Sequence, residues 1–557
     1  MENVKDLLRT ADALFTEMNK NSGDWDELRR RIMPRMEGKA RQQEQANEMT
    51  AASSFSPVAH KSLLNLASAH LLFITPMDQK WFSLRPQEER DDYTDEDDWY
   101  SKATEAVYRA LADSNFYAAA HEVYLDRCLT GTGCMFADVS RDGSLVFKHV
   151  PTGTYAIAEG AHGEVNTLVR TLKFTAQQAV EMFKLGNLPV KIQAAYKNAE
   201  RRYTEMFEFV HLVLPNSRAQ FGSDMVRPGR RKWLDVYIAR EAEKIVFHGG
   251  FYEFPFLVTR FLKGGVSSYG EAPGKAVLPE IKATLLMDRV MDVAGSRAAI
   301  PSVIVSAKMA KEVDLRAGGK TVVPDELISS QLPREWANVG DVRFMLERQD
   351  KKEKLIREAF FNDILQVVSS VDREMTATEV NARESERIIC FFSSFIQFSQ
   401  DFQTMMNRIV CLMFRNTQGA VLPGDAPDEF FVRSADGGKF ELRTPRTRYL
   451  GKIAQAFDRL QRYGLEGVLN GLAKYIKVSG DTRIAKRMKA WEVLRFMWDS
   501  SGAPSKCIVS ASENSKMVEE EKAQEDQMRQ AALAEQLARA GRENAAAPRW
   551  AQFNTDS

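Results

Sequence analysis

Tyr269-Gly270-Glu271-Ala272-Pro273-Gly274 decides how this chain is read, because a turn rich in glycine and proline runs straight into a helical pattern. Leu278, Ile281, Leu285, Met287, Val290, Met291 and Ala294 follow it and spread apolar surface widely round a helix. Pro279 reads as the start of that helix, where its missing N–H leaves no bond unmade, and Pro301 ends it. Short strand-like pieces, Ser302-Val303-Ile304-Val305 and Thr321-Val322-Val323, then lie among Gly318, Gly319, Pro324 and Pro333. A second helix is predicted from Asp350 to Val368, with Leu355, Ile356, Phe360, Ile364 and Val367 as its apolar positions. Asp350/Lys354 and Glu353/Arg357 are i,i+4 pairs on its polar side. The layout is helix, small β-rich insert, helix. An insert carried on two stalks is well placed to reach a partner.

Upstream, Val4, Leu7, Leu8, Ala11, Leu14, Phe15 and Met18 mark a first helix, and Asn21-Ser22-Gly23 breaks its pattern. Asp24 and Glu27 have capping-box spacing for a second, which Pro34 stops. A third runs from Pro57 to Phe73; the greasy stretch Leu63 to Met77 carries Asn65 and His70 and reads as buried rather than membrane-spanning. The acidic run Glu88 to Asp98 reads as a solvated loop or the first turn of a helix. From Gly131 to Phe261 the segments become short, β-branched or aromatic, and are punctuated by Gly, Pro and Asn, which is the strand signature. One helix, Ala176 to Leu185, interrupts them, and the region reads as α+β.

Downstream, Ser369 to Met375 breaks the periodicity, and Thr376 with Glu379 forms another capping box. The helix behind it is predicted to reach Arg415, roughly 60 Å at the α-helical rise. Phe391, Phe395, Phe398, Phe402, Met405, Met406, Ile409 and Met413 give it a continuous apolar face. A hairpin follows, Phe430 to Arg433 and Phe440 to Leu442, then helices over Ile453–Tyr463, Glu466–Tyr475 and Arg483–Trp498. The tail from Asn514 to Arg542 reads as helical in part, with loose residues at its end.

The 557 residues are 44% hydrophobic, enough for several cores, and Lys plus Arg balances Asp plus Glu at 76 each. That balance argues against a protein that coats nucleic acid with positive charge, but not against one that encloses it. Five cysteines, an odd number without CxxC spacing, suggest neither a disulfide framework nor zinc. The first residues lack a signal-peptide pattern, so a reducing cytosol is expected.

Reactive chemistry is thinly represented. Gly318-Gly319-Lys320-Thr321 is the nearest approach to a phosphate-binding loop, but Asp314 stands where the first glycine belongs. Gly131-Thr132-Gly133 lacks the third glycine of a dinucleotide fingerprint. Cys134 with His121 or His149 has no flanking elbow, and a buried structural thiol is the better reading. No HxxxH or HExxH spacing suggests a metal. No catalytic, cofactor or metal residue is therefore assigned. Arg227, Arg230, Arg231 and Lys232 read as a solvated turn beside Pro228-Gly229, with nucleic-acid contact as the competing reading. Lys351, Lys352 and Lys354 would meet phosphates if their helix lined a pore, and would otherwise be an exposed face. In the linker, Val371, Asp372, Arg373, Glu374 and Met375 mix one cation with two anions. In such a loop Arg373 could touch a phosphate weakly, with Asp372 and Glu374 holding the net contact down, or the loop could be an ordinary helix–helix turn.

Four blocks in fixed order carry a family resemblance: Trp81-Phe82-Ser83-Leu84, Gly131-Thr132-Gly133-Cys134, Tyr269 to Gly274, and Met375-Thr376-Ala377-Thr378-Glu379-Val380. Together they resemble the portal, or head-to-tail connector, of short-tailed bacteriophages, over about Trp25 to Gln527. Thr175 to Ala179 and Ile476 to Val509 are similar to further family segments. Phe55-Ser56-Pro57 and Leu450-Gly451-Lys452 depart from the family pattern.

The resemblance implies a predominantly helical, elongated α+β subunit assembled as a ring, usually a homododecamer, at one capsid vertex. Residues 1–274 would form the wing, 275–300 and 347–368 the stem helices, and 301–346 the clip. Residues 369–375 would be the channel loop, 376–444 the spine helix and wing hairpin, 445–530 the crown, and 531–557 a flexible tail. Double-stranded DNA would pass through the centre, and no enzymatic activity or cofactor is implied. The terminase motor, a tail adaptor, and capsid and scaffold proteins would be partners, in the virion and, during assembly, in the host cytoplasm; no membrane is implied. The competing readings are a terminase-type ATPase or nuclease, and a phage structural protein without a channel.

Overall fold

The computed structural model describes residues 3–33, 55–87, 95–219, 228–265, 267–299, 302–304, 334–336, 342–362, 392–424, 426–427, 431–433, 439–442, 444–450, 452–480, 488–489, 492–494, 496–497 and 511–546. In chain order the elements begin with α1 (Val4–Ile32), α2 (Pro57–Phe73), β1 (Phe82–Arg85), α3 (Asp95–Ala112) and α4 (Phe116–Thr130). A β-rich stretch follows: β2 (Thr132–Val139), β3 (Leu145–Val150), β4 (Tyr155–Glu159), β5 (Val165–Thr175), α5 (Ala176–Phe183), α6 (Val190–Lys197), β6 (Met206–Pro215), β7 (Trp233–Ala239), β8 (Lys244–Phe251) and β9 (Phe256–Arg260). Next come α7 (Pro273–Ala299), β10 (Ser302–Ile304), β11 (Arg334–Trp336), α8 (Val342–Ala359) and α9 (Phe392–Arg415). The last are β12 (Phe431–Arg433), β13 (Lys439–Leu442), β14 (Arg446–Tyr449), α10 (Lys452–Ser479) and α11 (Ala511–Ala546).

β4 to β8 form a five-stranded antiparallel meander in sequence order. Its alternating side chains are apolar on both faces, so both must be covered. On one face Leu7 and Ala11 of α1 meet Val169, Val210, Leu212 and Val236. On the other, Ala176, Ala179 and Ile192 of α5 and α6 meet Phe207, Phe209 and Tyr237. A second sheet has the order β3-β2-β9, with β2 central. The largest core surrounds Trp81, whose fully buried ring meets Phe116, Phe402 and Phe82. Such aromatics bury about 150–250 Å² each and dominate core energetics. The Tyr108 hydroxyl accepts from the N–H groups of Trp81 and Phe82 at 2.5 and 2.6 Å, which fixes the start of β1.

Several expectations are corrected. Asn21-Ser22-Gly23 does not break α1, which runs unbroken through 29 residues. Met18 and Trp25, one on each side of Gly23, are buried in the same core. Keeping both on one face outweighs the roughly 1 kcal/mol cost of an interior glycine. Pro279 lies inside α7 rather than at its start; Pro273 opens the helix. Val277, Leu278, Ile281 and Leu285 are buried around it, and that packing offsets the lost backbone bond. α8 starts at Val342 and its regular part ends at Ala359, because Phe361 takes a left-handed φ of 57°. α6 is an additional helix in the β-rich region. The two helices expected over Ile453–Tyr463 and Glu466–Tyr475 are one 28-residue helix. The tail is helical to Ala546, beyond the expected boundary. Pro57–Phe73 and the hairpin Phe431↔Leu442 match their expected positions. The helix expected from Thr376 is seen from Phe392, its earlier part being outside the described residues.

Two buried histidines couple this fold to pH. His211 Nδ1 accepts from Arg170 Nε at 2.9 Å, and Nε2 donates to Asp235 Oδ1 at 2.8 Å, so the neutral ring already uses both nitrogens. Burial first, then Arg170, holds its pKa down to about 4. Burial first, then Arg127, holds that of His70 down to about 3. The unfolded chain takes protons onto both rings below about pH 6.5, whereas the folded chain does not. Their stabilising contribution is therefore full above that value and declines as pH falls towards the folded pKa values. Urea unfolding at about pH 5 is expected to show a loss of about 2 kcal/mol per histidine relative to about pH 7. A flat profile would contradict this assignment.

Candidate functional site

The segments that decide the sequence reading meet in space. α4 ends at Gly131, whose φ of 93° lies in the left-handed region. Its carbonyl accepts from Phe261 N at 2.9 Å, and Gly270 N donates to Thr132 Oγ1 at 2.9 Å. The two glycine backbones are so close that a Cβ on Gly131 would lie 2.2 Å from the Gly270 oxygen, and one on Gly270 would lie 2.3 Å from the Gly131 oxygen. Beside them, the Tyr269 hydroxyl accepts from Ile157 N at 3.2 Å, and its ring packs edge-on to Trp25 at 5.1 Å. Pro273 then launches α7, with Gly274 against Leu129, Leu28 and Ile32. The Gly-Thr-Gly block and the Tyr-Gly-Glu-Ala-Pro-Gly block are thus two halves of one junction joining α1, α4, β2 and α7.

A buried charged hub lies next to it. Arg127 donates through Nε and Nη2 to the Arg260 carbonyl at 3.1 and 3.0 Å, and through Nη2 to the Ser394 carbonyl at 2.6 Å. Arg260 donates its backbone N–H to Asp401 at 3.1 Å, and its guanidinium pairs with Glu159 and with Asp401. Lys263 also reaches Glu159, at 2.9 Å. The hub therefore ties β4 and β9 to α4 and α9. Burial raises the Asp401 carboxyl above the usual carboxylate range, against the pull of Arg260. A second hub binds Arg408 and Arg415 of α9 to Glu253. Sequence reasoning missed both. The available signal was Asp401 and Arg408 standing within the phenylalanine- and methionine-rich face of α9.

α7 and α8 form a helix pair rooted on this junction. Lys352 pairs with Glu280 between the helices, and Gln349 donates to Asp288 at 2.5 Å. Burial raises the Asp288 pKa. Lys275 and Lys282 tie α7 back to Asp24 and Glu27 of α1 at 3.1 and 2.6 Å. Of the three lysines singled out, Lys352 is drawn inward by Glu280, while Lys351 and Lys354 are exposed. Lys354 pairs with Glu358 at 3.7 Å, and Glu353 makes the expected pair with Arg357 at 2.7 Å. Val371, Asp372, Arg373, Glu374 and Met375 lie outside the described residues, as does Gly318 to Thr321.

Among the described residues, Cys128, Cys134 and Cys411 are buried and read as structural. Cys134 is buried in β2, and its pKa is raised by that burial. His149 is engaged by Asp126 at 2.9 Å. A closer Cys–His contact, Cys128 to His70 at 3.7 Å, is also sealed in the core. Burial pushes that thiol up to about 12, so neither a thiolate nor a basic imidazole is presented to a substrate. Among the described residues no group of three His, Cys, Asp or Glu could hold a metal ion. Among them, too, no helix is long and apolar enough to cross a membrane.

The described residues form a mixed helix and strand chain whose buried charges serve as internal ties between its elements. It belongs to the family described as bacteriophage head to tail connecting protein, whose model matches residues 4–509. It is 23% identical over 394 residues to the portal protein of Salmonella phage epsilon15, covering 69% of each chain. It is 23% identical over 392 residues to a probable portal protein of Bordetella phage BPP-1, again covering 69% of each. Among solved structures it is similar to a chain of the virion of a native gene transfer agent particle, at 12% identity and a TM-score of 0.30, covering 65% of this chain and 88% of that one. At that score the likeness carries no architectural information.

Proposed function

We propose that this head-to-tail connector is the repeating subunit of a portal ring at one capsid vertex, through which double-stranded DNA is packaged and later ejected. The family match across residues 4–509 carries the reading. Residues 1–274 form the wing, and α7 and α8 form the stem that continues through residues 275–300 and 347–368. α8 extends the stem five residues into the segment 301–346 assigned to the clip. The linker 369–375 borders the channel, 376–444 supplies the spine and hairpin, and 445–530 the crown. The subunit performs no chemistry of its own and needs no cofactor. Its clip docks the terminase motor during filling and a tail adaptor afterwards, with capsid and scaffold proteins around the wing. The ring is a dodecamer, assembled in the host cytoplasm and retained in the virion.

The even balance of 76 basic and 76 acidic residues supports a channel that releases DNA, since net affinity for phosphate would retard sliding. Lys351 and Lys354 are among the exposed stem cations and are offered to the polymer, and Arg373 is offered from the linker. Deleting the gene from a phage that carries it is expected to give DNA-free heads without tails, restored by supplying the chain in trans. Filled, tailed particles from the deletion would overturn the proposal.

A further inference from the structure

The cover that α5 and α6 lay over one face of the five-stranded sheet stops short at the first turn of α6. Leu188 and Ile192 are buried in the core beneath, whereas Val190 between them is 81% exposed. The gap left there is a cavity of about 280 Å³. Phe207 of β6 and Ala239 of β7 form its buried floor, and Val190, Ile192 and Ala242 its walls. That volume lies below the roughly 300–1,000 Å³ of sites that enclose a whole small molecule, and it suits a single anchoring side chain.

Charge at the rim selects the occupant. Glu208, Glu241 and Lys191 are the charged side chains that line the cavity, so carboxylates outnumber cations there. Lys191 Nζ reaches Glu241 at 2.6 Å between α6 and the turn Arg240–Ala242, but the two side chains are 64% and 61% exposed. Such a pair is worth little, so an incoming cation displaces Lys191 at small cost. Arg240 approaches Glu208 only to 3.5 Å and has a closer partner in Asp12, at 2.7 Å. Glu208 is therefore open to a further cation, and an acidic ligand would be repelled there while Lys191 is held by Glu241.

We infer that this cavity is a docking site for a short segment of another protein that presents one bulky aliphatic or aromatic side chain directly beside a lysine or arginine. The apolar side chain enters between Val190, Phe207 and Ala239, and the neighbouring cation pairs with Glu208 and competes with Lys191 for Glu241. Desolvation of the anchor supplies the affinity, and the carboxylates supply the preference for a basic neighbour. Every lining residue belongs to one copy, so occupancy does not require a ring and goes beyond the portal reading.

The test pans short random peptides displayed on phage against the purified full chain, then measures binding of the enriched peptides, made synthetically, by fluorescence polarisation. The enriched sequences are expected to share a bulky apolar residue next to Lys or Arg. Ala242→Trp fills the cavity from its exposed rim, and Glu208→Gln with Glu241→Gln removes the carboxylates. Each is expected to weaken binding about tenfold, with unchanged circular dichroism and thermal unfolding. If Ala242→Trp fails to fold, Val190→Lys, at a position already exposed, is expected to weaken binding equally by placing a cation at the rim. No enrichment, an acidic residue in place of the basic one, or binding that either folded variant leaves intact would overturn the site. Arg549-Trp550 near the end of this chain has the same chemistry. Enrichment that appears only after residues 547–557 are removed would make the occupant this chain's own end, and would overturn the assignment to a partner.

Discussion

Gly131→Ala and Gly270→Ala are each expected to abolish the soluble folded protein. At Gly131 two costs add: a left-handed φ of 93°, and a Cβ lying 2.2 Å from the Gly270 carbonyl oxygen. The first alone costs about 1–2 kcal/mol. The second cannot be relieved by turning a side chain, because the obstacle is backbone. Gly270 meets the same wall from the other side, 2.3 Å from the Gly131 oxygen. Together the strain at either position should exceed about 3 kcal/mol, the range of severe core lesions. Gly23→Ala provides the contrast. Nothing lies within 4 Å of its Cβ position, and it sits inside α1, so it should stabilise by up to about 1 kcal/mol. Expression of soluble protein and urea unfolding measure all three. A folded Gly131→Ala protein of near wild-type stability would show that the two turns do not meet as described.

Asp401→Ala is expected to cost about 3–5 kcal/mol, because it leaves the buried Arg260 guanidinium short of a partner and the Arg260 N–H without its acceptor. The raised pKa of Asp401 shows that the carboxylate itself is held at some expense, so the loss comes from the stranded groups rather than from a strong ion pair. Asp401→Asn keeps an acceptor for the N–H and should cost less, about 1–2 kcal/mol. Arg260→Met combined with Asp401→Leu removes both charges and should regain part of the stability lost in Asp401→Ala. Denaturant unfolding of the four proteins decides it. Equal losses for Asp401→Ala and the double variant would contradict the hub.

What the sequence disclosed follows the physics of each signal. The glycine and proline blocks were legible because a left-handed turn and a close backbone approach restrict the residue type strongly. Their meeting was not legible, since Gly131 and Gly270 are far apart in the chain and no local pattern encodes that contact. α2 and α9 were legible as long apolar faces. The break at Asn21-Ser22-Gly23 was misread because local helix propensity is weak beside the burial of Met18 and Trp25. Pro279 was misread for the same reason: tertiary packing of Leu278, Ile281 and Leu285 carries a helix through a residue that would end it alone. Of the candidate site, Lys351 and Lys354 emerged as exposed, while Lys352 was claimed by Glu280, a partner 72 residues away that spacing on one helix cannot reveal. The Arg127, Arg260 and Asp401 hub escaped notice because each member reads as a surface charge until three separate segments are folded together.

Single-particle electron microscopy of the purified full-length chain tests the central claim most directly. Closed rings of identical subunits with an open central hole wide enough for duplex DNA are the predicted result. Compact single copies, or two-fold dimers without a hole, at every concentration and salt tried would contradict it.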